Sequence, residues 1–330
     1  MSAFDKITAI SPGLRSAARF ILSTFSSRLS RASRWKLRTR IKAAKLRGNC
    51  VLLLQLKHRN LGLFASLTVV LRAVQYAKMN NFSLKISVEN ENYRDSNEHS
   101  SNFLSNYFDS AIFVKECPNR SGTVAVSNLK SLWELPLYKE PTLTLSEASQ
   151  IVKKHLIPKS EVIQAAHTYI GSNLAHPYIA VHWRGTDKFK EAPIVSVCDY
   201  FNKLLPILEA ASEDTLVFFA TDDHQNLVKF LTKAKQLGVA SRVRYREGLV
   251  RSLDGSPGHL SNVSVRPTER DKGLDALVDS LILSKATCLI RNVSLLSAWS
   301  VIFNPNLRVI TLNRPYIGCR WFPETALADT

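Results

Sequence analysis

The sequence predicts an α/β protein of two halves, each built on a parallel sheet, with a cleft between them. Short apolar runs suited to buried strands recur along the chain, with stretches of helical periodicity between them. A strand, a glycine-bearing turn, an apolar helix and a second strand succeed one another from residue 51 to 88, the order of a βαβ unit and hence of parallel pairing. The chain has 330 residues, 45% of them hydrophobic and 22% charged, which suits a globular protein of one large or two ordinary domains.

The first 48 residues hold twelve Lys and Arg against one acid, Asp5, and so carry +11 of the formal +17. They are expected to form a basic arm, 1–48, outside the α/β pattern. The apolar stretch 18–25 is too short to span a membrane, and Arg-rich flanks continue past it, unlike a cleavable signal. Leu14, Ala17, Ala18, Ile21 and Leu22 recur at helical spacing. Three readings stand: a solvated basic arm, an amphipathic helix making peripheral contact with an anionic membrane through residues 13–47, and an organelle transit segment. A cytoplasmic or peripheral-membrane location is favoured. The basic arm lacks interleaved aromatics and any nucleic-acid-binding motif, so no nucleic-acid partner is expected. Five cysteines, at 50, 117, 198, 288 and 319, have neither zinc-ligand spacing nor the density of a disulfide framework.

From residue 49 the elements come in order. Residues 51–56 predict a strand, the turn after it contains Gly62, and 63–79 predict a largely apolar helix before a strand at 83–88. Residues 89–175 are more polar, with helical patches at 147–157 and 161–170. The second half predicts strands at 178–183, 216–220, 242–245, 288–290 and 308–312, and helices at 197–212, 224–236 and 274–286. A long Gly- and Pro-bearing loop, 251–273, is placed to cover a cleft. The domain division is 49–175 and 176–330. Sheets of this kind bind ligands beyond the carboxyl ends of their strands, so the strand ends are where chemistry is sought.

Three of them end in polar knots. The strand at 178–183 breaks into Arg184, Gly185, Thr186, Asp187 and Lys188, with Glu191 just beyond. Arg184 is charged at any relevant pH and offers a planar fork suited to phosphate oxygens. Gly185 is expected to let a ligand approach the backbone. A plain structural role, Arg184 pairing with Asp187, is the competing reading. The strand at 216–220 ends in Thr221, Asp222 and Asp223, which suit either a helix cap or a sugar or base contact. In the third, Asp275 and Asp279 lie one turn apart and could point jointly into a cleft. Ser294 begins the helix after the strand at 288–290, as a cap or as a donor to an anion.

These knots, in this order, resemble the inverting fucosyltransferase superfamily, whose first motif reads approximately His-x-Arg-Arg-Thr-Asp-Lys. Here it is HWRGTDK, from His182 to Lys188. The second, Ala-Thr-Asp-Asp, is matched at 220–223, and the third, a helical Asp with a Ser after the next strand, at Asp279 and Ser294. The resemblance covers roughly 175–312. It implies a GT-B-like pair of Rossmann-type domains, a GDP-fucose donor and a glycan acceptor. It also implies a glycosyltransferase inverting without a metal, and no cofactor is expected. The donor-binding residues it implies are His182, Arg184, Thr221, Asp222, Asp223, Asp279 and Ser294. Arg184, Lys188 and Glu191 are the catalytic candidates, and Gly62 belongs to the acceptor side or its loop. No Asp-x-Asp motif occurs in the sequence, so the departing diphosphate falls to protein cations, Arg184 first. Two departures stand out: Gly185 replaces the family's second Arg, and Glu191 lies one residue nearer than in core fucosyltransferases. A non-catalytic nucleotide- or carbohydrate-binding protein on the same fold is the alternative.

Overall fold

The computed structural model describes residues 35–36, 38–46, 50–58, 61–90, 93, 102–114, 123–126, 143–174, 177–186, 191–249, 251–253, 269–316 and 322–328. Two parallel sheets organise them, as the sequence predicts.

In the first sheet, β1 (Val51–His58) lies between β2 (Ser83–Asn90) and β4 (Thr123–Val126), parallel to both. The crossover from β1 to β2 is α1 (Leu63–Met79). A two-residue antiparallel pair, β3 (Phe108–Asp109) with β5 (Ile157–Pro158), separates α2 (Leu145–His155) from α3 (Ser160–Asn173). Thr144 starts α2 through a capping box with Glu147, each satisfying the other's backbone N–H.

The second sheet has five parallel strands in the order β10-β9-β6-β7-β8: β6 (Tyr178–Trp183), β7 (Leu216–Thr221), β8 (Val243–Arg244), β9 (Cys288–Arg291) and β10 (Arg308–Thr311). All six residues of β6 are buried, as a central strand covered on both faces requires. Its helices are α4 (Val197–Glu209), α5 (His224–Gln236), α6 (Glu269–Ser284), α7 (Leu295–Phe303) and the short C-terminal α8 (Glu324–Ala328). Alternation divides the strand residues between two cores. Ile179, Val181, Val217, Phe219 and Ile290 pack with residues of α4 and α5. Tyr178, Ala180, Phe218, Ala220 and Leu289 join a larger cluster with residues of α3, α6 and α7.

That larger cluster continues into the first sheet through α1 and α2. Trp299 of α7 lies 6.2 Å from the Phe64 ring and donates its indole N–H to Thr68 Oγ1 at 2.9 Å, both partners being on α1. The two halves are thus sealed by shared burial.

Two expectations about boundaries change. Residues 38–46, placed in the basic arm by their charge, are helical, and Ile41 and Ala44 bury into the core. Their spacing of three gives the helix an apolar stripe, and Lys45 sends its ammonium to Asn80 Oδ1 at 2.8 Å. The long loop also ends earlier, because 269–273 already belong to α6, while 254–268 lie outside the described residues. Among the described residues no helix is long and apolar enough to cross a membrane. Cys50, Cys198 and Cys288 are free thiols.

Candidate functional site

The carboxyl ends of β6, β7 and β9 are adjacent in the sheet, and their three polar knots meet there. Arg184 directly succeeds β6. Its main chain is clasped from β9's end by one side chain: Asn292 Oδ1 accepts the Arg184 N–H at 2.8 Å, and Asn292 Nδ2 donates to the Arg184 carbonyl at 2.8 Å. The Arg184 guanidinium lies 2.7 Å from Asp222 Oδ2, just past β7, with both side chains 18% exposed. A cation fixed at its backbone and at its head is therefore presented at the sheet's edge.

Asp222 gathers the whole 184–186 turn. Besides the Arg184 ion pair, it accepts the Gly185 N–H at 3.0 Å and the Thr186 hydroxyl at 2.9 Å. Its neighbour Asp223 has a different task. That side chain accepts the Gln225 N–H at 2.8 Å and caps α5, the ordinary role of an Asp at this position. Thr221 is also structural in its contacts, giving its hydroxyl to the Trp183 carbonyl at 2.7 Å. The space beside Gly185, expected to admit a ligand, is filled by the protein. A Cβ there would meet Asn226 Nδ2 at 2.1 Å and Asp223 Cβ at 2.8 Å, so the N-terminal turn of α5 packs against the bare backbone. This explains why the second Arg of the family motif has no counterpart here: no side chain fits.

His182, the fifth residue of β6, is 2% exposed, and its Nδ1 has no hydrogen-bond partner. Burial, with Arg291 and Arg184 alongside, pushes its pKa well below the usual 6.5 and keeps the ring neutral. A buried, unsatisfied ring nitrogen beside a strand's carboxyl end is the kind of exception that functional sites hold.

On β8's side, Asp275 and Asp279 of α6 do point to one place, and it is occupied by a cation. Arg246 reaches Asp279 Oδ1 at 3.0 Å and Asp275 Oδ1 at 2.7 Å. Burial works against the Arg246 charge, but Asp279 and Asp275 outweigh it and hold the guanidinium's pKa up. Burial and the Asp279 charge also push Tyr169 of α3 up to about 12. The cluster adjoins the first by way of Arg251, which donates to the Arg246 carbonyl at 2.7 Å. The next residue, Ser252, gives its N–H to the Asp222 carbonyl at 2.8 Å.

Ser294 lies at the N-cap of α7 but makes no side-chain cap, its backbone being extended at φ −166° and ψ 134°. Its N–H instead meets a carboxylate of the same chain, Glu324 Oε1, at 2.7 Å. Glu191 is half-buried on a segment whose carbonyl accepts the Tyr316 N–H at 2.8 Å. Gly62 is the N-cap of α1 on the first sheet, where the Leu61 carbonyl accepts from Asn90 at 2.7 Å. Lys188 lies outside the described residues. Sequence reasoning misses Asn292, Arg246 and Glu324. The strand-end rule reaches the first two, which sit one and two residues past β9 and β8. Nothing in the sequence marks Glu324. Among the described residues no group of three His, Cys, Asp or Glu side chains is disposed to hold a metal ion.

Fold and site together define an α/β protein with a fixed cation at the carboxyl end of a central parallel strand. No family model matches the chain, and no curated protein matches it. Among solved structures it is similar to fucosyltransferases, the superfamily its motifs resemble. POFUT1 in complex with GDP is 10% identical, with 80% of this chain and 98% of that one covered at a TM-score of 0.44. Fucosyltransferase NodZ from Bradyrhizobium is 14% identical, with 76% and 92% covered at 0.45. A variant of Arabidopsis thaliana FUT1 in complex with GDP is 10% identical, with 87% and 76% covered at 0.46. Likenesses at these scores say nothing of what this chain binds.

Proposed function

We propose that this chain is an inverting, metal-independent glycosyltransferase that moves fucose from GDP-fucose to a glycan hydroxyl. One observation carries the reading: Arg184 stands at the carboxyl end of the central strand with its backbone held by Asn292 and its guanidinium beside Asp222. A guanidinium held this way loses little freedom on meeting a diphosphate, and its fork matches two phosphate oxygens. The acceptor oxygen attacks the sugar's anomeric carbon from the face opposite the diphosphate. A base, Glu191 with Lys188 as the other candidate, takes the hydroxyl proton. The bond to the phosphate oxygen breaks with its electron pair, and Arg184 neutralises the charge that develops there. Such a donor is worth about 3–4 kcal/mol at a developing anion.

In this reading residues 176–330 form the donor side, with His182, Asp279 and Ser294 at the nucleotide and sugar. Residues 49–175 form the acceptor side, with Gly62 at its loop. The basic residues of 13–47 supply electrostatic contact with an anionic membrane.

A second reading has one observation in its favour. Asp222 already answers the Arg184 charge, and the space of a second cation at Gly185 is closed. The same fold could then bind a nucleotide sugar without turning it over. Calorimetric titration with GDP, beside GDP release from GDP-fucose with and without EDTA, separates the two. The enzyme binds GDP and releases product with EDTA present; the binding protein binds GDP and releases none. Absence of GDP binding overturns both.

A further inference from the structure

Residues 291–294, which hold Arg184 in place, are themselves held by the far end of the chain. Arg291, the last residue of β9, is fully buried and makes a two-point pair with Glu324, Nη1 to Oε2 at 2.9 Å and Nη2 to Oε1. Its Nε donates to Ser297 Oγ at 2.8 Å and its Nη2 also to the Ser294 carbonyl at 2.9 Å. Glu324 Oε1 accepts the Ser294 N–H as well. The Val293 N–H goes to Asn313 Oδ1 at 2.8 Å. Asn292, between these anchors, is 3% exposed and has both ends of its amide on the Arg184 main chain. Two residues before Glu324, Phe322 lies under the Arg72 guanidinium of α1, 5.0 Å from charge to ring centroid. A chain of contacts thus runs from the first sheet's helix through the C-terminal segment to the backbone of Arg184.

A buried two-point ion pair is poor evidence for added stability, since desolvation offsets most of its attraction. Its geometric demands are strict, however, and a planar guanidinium gripped by a carboxylate has one orientation. We infer that Glu324 is a positioning residue: through Arg291 and the Ser294 N–H it sets the 291–294 turn, and through Asn292 that turn sets Arg184. Asn292 is the intermediary. The consequence for turnover rests on the proposal that Arg184 serves the diphosphate. Misplacing a reacting group by about 1 Å is worth on the order of a hundredfold in rate.

The test joins one measurement that ignores activity to one that needs it. Hydrogen–deuterium exchange of the full chain reads the Arg184 N–H directly. Glu324→Gln and Asn292→Ala should each speed exchange across 182–186, with the 51–58 strand unchanged. Equal exchange in parent and variants overturns the inference whatever the protein's activity. For turnover, both variants should lose about a hundredfold in kcat with GDP-fucose, with a smaller change in KM. The double variant Arg291→Met/Glu324→Met removes both buried charges and should recover the melting temperature lost by Glu324→Gln, but not the turnover. Recovery of turnover along with stability makes the pair a packing element and overturns the inference. A parent that binds no GDP sinks the functional reading alone, because the exchange result still decides whether Glu324 positions Arg184.

Discussion

In the first sheet, β1 leads through Leu61 and Gly62 into α1, and that helix opens with Leu63 and Phe64 already buried. In the second, β6 and β7 run into Arg184 and Asp222, and β9 ends in Arg291 and Asn292. Both sheets are parallel, and both bury their strands on helices. They differ in the residues just past the strand ends. Where apolar residues continue, the strand end is used to seal the core, as Trp299 and Thr68 seal α7 on α1. Where the chain turns polar, the backbone turn is held by side chains from neighbouring strands, and those side chains lock one another. Sheet architecture alone therefore does not make a site; the strand-end residues do.

The strongest way to break this comparison is to add a side chain where the second sheet tolerates none. Gly185→Arg restores the family's second cation in sequence, yet its Cβ would meet Asn226 and Asp223 Cβ within 3 Å. It should destabilise by about 1–3 kcal/mol through overpacking, and GDP binding should fall with it. A variant that gains GDP affinity would show the space to be available. Next in size is Leu54→Ala, in a fully buried position of β1. It should lose about 2–5 kcal/mol in denaturant unfolding, while turnover per folded molecule stays unchanged. A matching loss of turnover would mean that the first sheet carries chemistry too.

The adjacent aspartates sharpen the contrast within one strand end. Asp222→Asn removes a charged partner worth about 1.5–3 kcal/mol, so turnover should fall about 10–10²-fold. Asp223→Ala removes a cap worth about 1 kcal/mol in thermal unfolding and should leave turnover within a fewfold. Equal turnover losses would erase the distinction between them. The smallest effect is a slope. His182 has its pKa depressed by folding, so the unfolded chain binds the extra proton and stability is present above about 6.5 and lost as pH falls below it. The melting temperature should decline below pH 6.5, less steeply in His182→Gln; identical slopes would mean that this ring is not buried neutral.

Much of this was legible in the sequence, for identifiable reasons. The run 178–183 is apolar enough to be buried on both faces, and a run of that kind in an alternating pattern has few other fates. Arg184 and Asp222 were legible because they terminate such runs. Burial of 38–46 was hidden by charge: Arg38, Arg40, Lys42 and Lys45 outnumber Ile41 and Ala44, and only the spacing betrays the apolar stripe. Asp279 was legible as a cleft residue, but its partner Arg246 lies 33 positions away. Glu324 was not legible at all. Its meaning depends on Arg291, also 33 positions away, and on a backbone N–H, and neither leaves a trace in local composition.

The central claim is that Arg184 serves a ligand and not only the pair with Asp222. It is tested most directly by Arg184→Ala, measured for melting temperature and for turnover of GDP-fucose per folded molecule. The ion pair is partly exposed, so its loss should move the melting temperature by only a few degrees. Turnover should fall about 10²–10³-fold, chiefly in kcat. A large drop in melting temperature with turnover per folded molecule unchanged would make Arg184 a structural residue and contradict the account.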